Sequence, residues 1–212
     1  MKNLLTSALA CALCVSPAPA QDTSADAAYM KVVTERAAKI MVALNLDDSL
    51  KFVRVRDIIA VQYRDLNAIH NGRNAVVAQL REQCSDNRDC KIEAAENEAN
   101  ASLYSLHCAY LAKLQSELSI EQVDKVKDGM TYGVAPLTYR AQCDMIPSLS
   151  DEQKRYIMAA LLEAREHAMD AESSEKKHAW FGKYKGRINN YLSAQGYDLK
   201  KERETWNKKN EK

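Results

Sequence analysis

Residues 49–83 read SLKFVRVRDIIAVQYRDLNAIHNGRNAVVAQLREQ and predict one long amphipathic helix. Its apolar residues recur at helical spacing and share one face: Val55, Ile58, Ile59, Leu66, Ile69, Val76, Val77 and Leu80. A break is expected only near Asn71-Gly72. The same alternation of charged and aliphatic residues continues along the chain, which has six Gly and four Pro in 212 residues. The sequence therefore predicts an all-α fold.

Further helices are expected on both sides of this one. Start and stop signals place them at about 27–44, 91–117, 120–128, 151–171 and 174–194, with a short charged helix after Asp198. The stretch MTYGVAPLTY reads as the one long irregular segment, a loop near 128–140. We expect a single-domain helical bundle of about five to seven helices over residues 21–212.

Two of these helices begin with the same signal. Ser119 and Ser150 are each followed three residues later by a Gln, which is the spacing of a capping box. The surrounding LSIEQVDKV and LSDEQKRYI are also similar to each other. Two helices started by the same device explain this echo, although short helical chaperones of the periplasm carry the related pattern Leu-Thr-x-x-Gln.

The first 20 residues read as a signal peptide. Lys2 precedes the apolar run LLTSALACALCV, and Ala18-Pro19-Ala20 predicts cleavage before Gln21. A lipoprotein signal at Cys11 is the alternative. The run is too short for a membrane span, and no other long apolar run follows. We expect an exported protein, periplasmic or secreted, with no membrane span.

Charge and cysteine content fit an exported chain. The 30 basic and 29 acidic residues nearly cancel, but residues 174–212 carry eleven Lys or Arg against five Asp or Glu. Four cysteines follow the signal peptide: Cys84, Cys90, Cys108 and Cys143. An even number in an exported chain suggests disulfides, with Cys84–Cys90 and Cys108–Cys143 as the expected pairs. The alternative is that one pair stays reduced.

The helix at 174–194 combines a glycine stripe with aromatic and basic residues. Gly182 and Gly186 each cost about 1 kcal/mol relative to Ala, which suggests a close approach by another helix or a ligand. Four side chains share a neighbouring face and form a candidate saccharide and carboxylate site: Trp180, Lys183, Arg187 and Asn190. Packing of Trp180 in the core, with the cations solvated over it, is the alternative.

The helix at 49–83 supplies further candidates. Arg73 falls within its apolar face and therefore needs an anionic partner, either a carboxylate of another helix or a ligand. Beside that face run four polar residues that line either a cleft or a solvated surface: Tyr63, Asn67, His70 and Asn74. His107 lies among apolar residues and reads as a core residue rather than a catalyst.

Motifs of well-known enzyme classes do not occur in the sequence. G-x-S-x-G, phosphate loops and H-E-x-x-H are missing, and the four His share no metal-ligand spacing. We expect no cofactor, no metal and no nucleic-acid partner. A catalytic group assembled from distant positions stays open.

Four stretches resemble a known family: QYRDLNAIHNGRN, KDGMTYGVAPLTY, MIPSLSDEQK and EKKHAWFGKYKGRINNYLSAQGYDLKKE. The chain is similar there to an uncharacterised family of small exported proteins of the Bacteroidetes, a domain of unknown function with a suggested sugar-binding role. Its members accompany genes for polysaccharide breakdown. The resemblance covers nearly the whole mature chain and implies sugar binding, but it provides no catalytic residues.

Three functions are weighed on these grounds. The first is an exported carbohydrate-binding or accessory protein of polysaccharide utilisation, acting on an acidic glycan. The second is a lyase or hydrolase on uronate-containing glycan, in which Tyr63, His70 and Arg73 supply the base and the cation. The third is a helical periplasmic chaperone. The first predicts that Tyr132 or Tyr139, on a segment packed over the helix at 174–194, joins Arg73, Trp180 and Arg187 in one cleft.

Overall fold

The computed structural model describes residues 23–83 and 86–210. Within these ranges the protein has eight α-helices and no strand. The helices are α1 (Thr23–Val42), α2 (Ser49–Gln83), α3 (Arg88–Glu117), α4 (Ile120–Met130), α5 (Val134–Met145), α6 (Asp151–Met169), α7 (Ser174–Ala194) and α8 (Leu199–Asn210). The all-α prediction is confirmed, and the expected five to seven helices are in fact eight.

The start and stop signals of the sequence operate as expected. Ser119 and Ser150 both form complete capping boxes, in which the Gln three residues on bonds back to the Ser backbone. α2 runs unbroken through Asn71-Gly72 because a helix tolerates a single Gly at modest cost. Gly196 follows the end of α7 with φ +91°, a conformation that favours glycine.

The predicted irregular loop near 128–140 is wrong. α4 continues to Met130 and α5 begins at Val134, so only residues 131–133 lie between them. Tyr132 and Gly133 both have left-handed φ values, of 60° and 65°, which turn the chain within this short connection. Pro136 sits in the first turn of α5, where its missing N–H leaves no hydrogen bond unmade. Gly133 and Pro136, which suggest a loop in the sequence, therefore mark a tight turn and the start of a helix.

Two groups of buried apolar side chains hold the helices together. The first core joins α1, α2 and α4 with the end of α3, and includes Ile59, Tyr110, Leu114 and Met130. The second core joins α5, α6 and α7, and includes Ile157, Leu161, Phe181 and Ile188. Met169, at the end of α6, packs into the first core and so connects the two.

The glycine stripe of α7 meets nothing. A Cβ added at Gly182 or Gly186 has no neighbouring atom within 4 Å, so the expected close approach by another helix is wrong, and a ligand at this stripe stays a prediction. The glycine that packing requires is Gly129 of α4, where an added Cβ would lie 2.7 Å from Ile40 Cγ2 of α1. This contact brings α4 against α1.

The three described cysteines, Cys90, Cys108 and Cys143, are all free in the structure. The structure therefore does not support the expected Cys108–Cys143 disulfide, which stays a prediction. Cys84 lies outside the described residues, as do the expected signal peptide and the alternative lipidation site at Cys11. None of the eight helices is both long enough and apolar enough to span a membrane.

Candidate functional site

A cleft of about 970 Å³ opens between the α2–α3 pair and the corner from α6 to α7. α2 and α3 contribute chiefly His70, Arg73, Arg81, Glu96, Tyr104 and His107. The other wall consists chiefly of Glu166, His167, Asp170, Glu172, Lys176 and Trp180. The helices of the first core provide one wall and those of the second core provide the other. The cleft therefore lies where these two groups of helices meet.

The cleft continues along the α2–α3 pair. A second depression of about 480 Å³ is lined by Arg88, Asp89, Ile92 and Glu93. It shares Arg81 and Glu96 with the cleft, so these two side chains lie at the junction. The two depressions therefore adjoin at these side chains.

His107 bridges the cleft to α6 and its end. Its Nδ1 lies 2.7 Å from Asp170 Oδ2, and its Nε2 lies 3.5 Å from Glu166 Oε2. The hydrogen bond to Asp170, followed by the one to Glu166, raises the pKa of His107 to about 9. At neutral pH the ring is therefore an imidazolium held between two carboxylates.

A network of charges surrounds this ring. Although burial opposes ionisation of Glu166, hydrogen bonds from His107 and Lys127 lower its pKa to about 2. Lys127 Nζ lies 2.8 Å from Glu166 Oε2 and ties α4 to α6. Arg165, only 4% exposed, lies 2.6 Å from Asp124 and 2.8 Å from Asp128. Ion pairs thus join α6 to α3 and α4.

His70 is 6% exposed and forms part of the cleft. Its Nε2 lies 2.8 Å from the carbonyl oxygen of Asp170, so this nitrogen carries the proton and donates. Its Nδ1 makes no hydrogen bond within the described residues and lies 3.7 Å from Glu172 Oε2. Asp170 Oδ1 is likewise buried without a partner there.

Arg73 finds the anionic partner that its position demanded. Its Nη2 donates to Glu172 Oε2 in the connection from α6 to α7, while Nε and Nη2 donate to Asn74 Oδ1. The partner is a carboxylate of the protein itself, but it lies in the connection between α6 and α7 and not on another helix as expected. Within the described residues, no group of His, Cys, Asp and Glu is arranged to hold a metal ion.

The expected aromatic and basic face of α7 does not assemble into one site. Trp180 lines the cleft, half-buried, with its ring stacked 4.4 Å from that of His167. Lys183 lies over the Trp180 ring but outside the cleft. Arg187 covers the Tyr184 ring and pairs with Glu163 at 3.4 Å. Asn190, also outside the cleft, is exposed.

The tyrosines predicted to bind ligand also lie elsewhere. Tyr63 is 7% exposed and belongs to the first core. Tyr132 stacks on His178 at 5.5 Å, so its segment does contact α7, but neither Tyr132 nor Tyr139 lines the cleft. Of the four residues expected to converge, Arg73 and Trp180 share the cleft, and Tyr132 and Arg187 do not.

Several residues that line the cleft were not identified from the sequence. Tyr104 is 72% exposed, and Glu166 and Asp170 lie one helical turn apart near the end of α6. In REHAMDAE these carboxylates are typical of a solvated helix end. Their i, i+4 spacing beside His167 was the only signal that they share a face.

Comparison with known proteins gives one positive result. No curated protein matches the sequence. The model of one family matches residues 30–211, which is most of the chain and includes every residue of the cleft. The resemblance to a domain of unknown function is confirmed to that extent. The chain belongs to the family described as protein of unknown function (DUF3826).

Proposed function

We propose that this protein is an exported carbohydrate-binding or accessory protein of polysaccharide utilisation, which holds an acidic glycan in the cleft. The observation that carries the proposal is the cleft together with the depression that adjoins it, lined by an exposed aromatic ring and by two cations that have no ion-pair partner within the described residues. Two adjoining depressions offer room for more than one sugar ring.

Tyr104 supplies the aromatic surface. Its side chain lines the cleft and is 72% exposed, although an apolar ring gains free energy on burial. The C–H face of a sugar ring can cover such a ring while the sugar hydroxyls reach the polar walls. Trp180 adds apolar surface behind it, but its ring already contacts His167 and Lys183.

Unpaired cations favour an acidic chain. Most charges of the cleft are neutralised within the protein, as His107 is by Asp170 and Arg73 by Glu172. Arg81 and Lys176 line the cleft and make no ion pair within the described residues. Arg and Lys bind carboxylates through charge-assisted hydrogen bonds, so these two are suited to uronate groups.

Binding is better supported than catalysis. A lyase built from Tyr63, His70 and Arg73 would need all three at the substrate, and Tyr63 lies in the first core. Both ring nitrogens of His107 face carboxylates, which leaves neither free to accept a proton from a substrate. The likeness to periplasmic chaperones is accounted for by the two capping boxes.

A glycan array read with matched variants tests the proposal. Tyr104→Ala and the pair Arg81→Gln and Lys176→Gln should each abolish or strongly weaken binding to uronate-containing glycans. Tyr132→Ala is the matched control, because Tyr132 is 53% exposed yet lies outside the cleft. Binding that survives Tyr104→Ala, or that is lost equally in Tyr132→Ala, would contradict the proposal. Ultraviolet absorbance from unsaturated products, measured with the same glycans, would reveal lyase action.

A further inference from the structure

We propose that Arg73 forms a carboxylate subsite of the cleft, and that Glu172 occupies it in the free protein as a stand-in for a uronate carboxylate. This inference rests on the proposed binding of an acidic glycan. It assigns the recognition of the acid group to specific atoms and adds a competition between the ligand and the protein's own side chain.

The guanidinium of Arg73 is held in a fixed orientation, and only part of its hydrogen-bonding capacity is used. Asn74 Oδ1 accepts from its Nε and Nη2, at 3.2 Å and 2.8 Å, and so fixes the plane of the guanidinium. Glu172 takes one hydrogen bond, from Nη2 to Oε2, and Nη1 makes none within the described residues. A carboxylate bound to the edge formed by Nη1 and Nη2 would receive two parallel hydrogen bonds, which is the stronger arrangement.

His70 lies one helical turn from Arg73 and lines the same cleft. Its Nδ1 is buried, lacks a hydrogen bond and faces Glu172 Oε2 at 3.7 Å, which is too far for one. Because the proton is on Nε2, Nδ1 is an acceptor, so neither Glu172 nor a uronate carboxylate can satisfy it, whereas a hydroxyl of the same sugar can donate to it. The resting contact therefore leaves both Arg73 and His70 with unused hydrogen-bonding groups.

The position of Glu172 allows its side chain to move out of the subsite. It sits in the connection between α6 and α7 rather than within a helix, and its side chain is 28% exposed. Hydrogen-bonded contact with Arg73 lowers its pKa against the effect of burial, so it is ionised and competes as a carboxylate. When it moves out, Arg73 joins Arg81 and Lys176 as a cation of the cleft without an ion-pair partner among the described residues, and Glu96 lines the junction of the two depressions.

Competition predicts a gain of binding when the competitor is removed. The apparent affinity of a site is reduced by the fraction of molecules in which it is already occupied. A partly exposed ion pair of ordinary strength corresponds to an occupancy that lowers affinity by about two- to sixfold. Glu172→Gln should therefore strengthen binding of an acidic sugar by about that factor, and Arg73→Gln should weaken it by tenfold or more.

The experiment uses sugars that differ only at C6. Binding of D-galacturonate and D-galactose, and of D-glucuronate and D-glucose, is measured by calorimetry with the full mature protein and each variant. The expected result is tighter binding of both uronates to Glu172→Gln, weaker binding to Arg73→Gln, and unchanged binding of the neutral sugars. Glu172→Asp, which retains the charge on a shorter side chain, should lie between the wild type and Glu172→Gln.

Contrary outcomes separate the two proposals. If uronates bind in a Tyr104-dependent manner but Glu172→Gln binds them no tighter, or tightens neutral sugars equally, the subsite is refuted and the carbohydrate function stands. If neither uronate binds any variant, both proposals fail. Circular dichroism and thermal unfolding of each variant guard against loss of structure, and Glu172→Asp gives the same comparison should Glu172→Gln not fold.

Discussion

The imidazolium of His107 should make the stability of the protein depend on pH. The folded state holds the pKa of His107 at about 9, against 6.5 for an unperturbed histidine. This difference corresponds to about 3 kcal/mol of unfolding free energy, and we expect about 2 kcal/mol because the side chain is 16% exposed and partly screened. The contribution is fully present below pH 6.5 and is lost as the pH rises through 9.

Urea unfolding of the wild type and of His107→Gln at pH 6, 8 and 10 measures this contribution. The quantity of interest is the difference in unfolding free energy between the two proteins, which should shrink by about 2 kcal/mol from pH 6 to pH 10. Taking the difference removes other groups that titrate in this range. Burial lowers the pKa of Lys177 to about 8, so that lysine makes stability rise with pH from about 8 to 10.5 in both proteins.

A difference that stays constant from pH 6 to pH 10 would refute the ion-pair account of His107. Glu166 offers an internal check at the opposite end of the scale. Its pKa of about 2 in the folded state means that its contribution is present above 4.5 and is lost as the pH falls through 2. The two windows do not overlap, but His107 is one of the donors that lower the pKa of Glu166, so His107→Gln should also move acid unfolding to higher pH.

Three further predictions concern unfolding free energy, each measured by urea titration. Gly182→Ala and Gly186→Ala should each stabilise the protein by about 1 kcal/mol, because the added Cβ meets nothing; a loss of stability would show that the stripe is packed. Gly129→Ala should destabilise it by about 1–3 kcal/mol through overlap with Cγ2 and Cγ1 of Ile40, and the second change Ile40→Ala, which removes both atoms, should cost less in Gly129→Ala than in the wild type. Arg165→Met should cost about 1–2 kcal/mol by removing a buried guanidinium that pairs with Asp128 and with the more exposed Asp124, and Arg187→Met, in which both paired side chains are about half exposed, is the near-neutral control.

Local signals in the sequence predicted most helices because those signals act over a few residues. Ser119 and Ser150 start their helices through contacts with the third residue on, and the apolar face of residues 49–83 repeats at helical period. The error at 128–140 has the same origin. Gly133 and Pro136 are breakers in isolation, and only the left-handed backbone of Tyr132 reveals that they frame a three-residue corner.

The cleft was predicted only in part because its walls come from distant parts of the chain. Arg73 and Glu172 are 99 positions apart, and His107 and Asp170 are 63 apart. The helical period shows that Arg73 lies on an apolar face and needs an anionic partner, but it does not identify the residue that supplies the anion. The same period grouped Arg187 and Asn190 with Trp180 on α7, although the cleft reaches only as far along that helix as Trp180.

The way in which the two cores meet bears on how this chain can diverge. Each core is built largely from neighbouring helices. Ion pairs, such as those of Arg165 with Asp124 and Asp128, form much of the contact between the two cores. The aliphatic residues of either core can therefore change independently of the other core, provided that the paired charged residues are inherited together. A hybrid that takes residues 23–130 from this protein and the remainder from another family member should assemble when those partners are transplanted as a set.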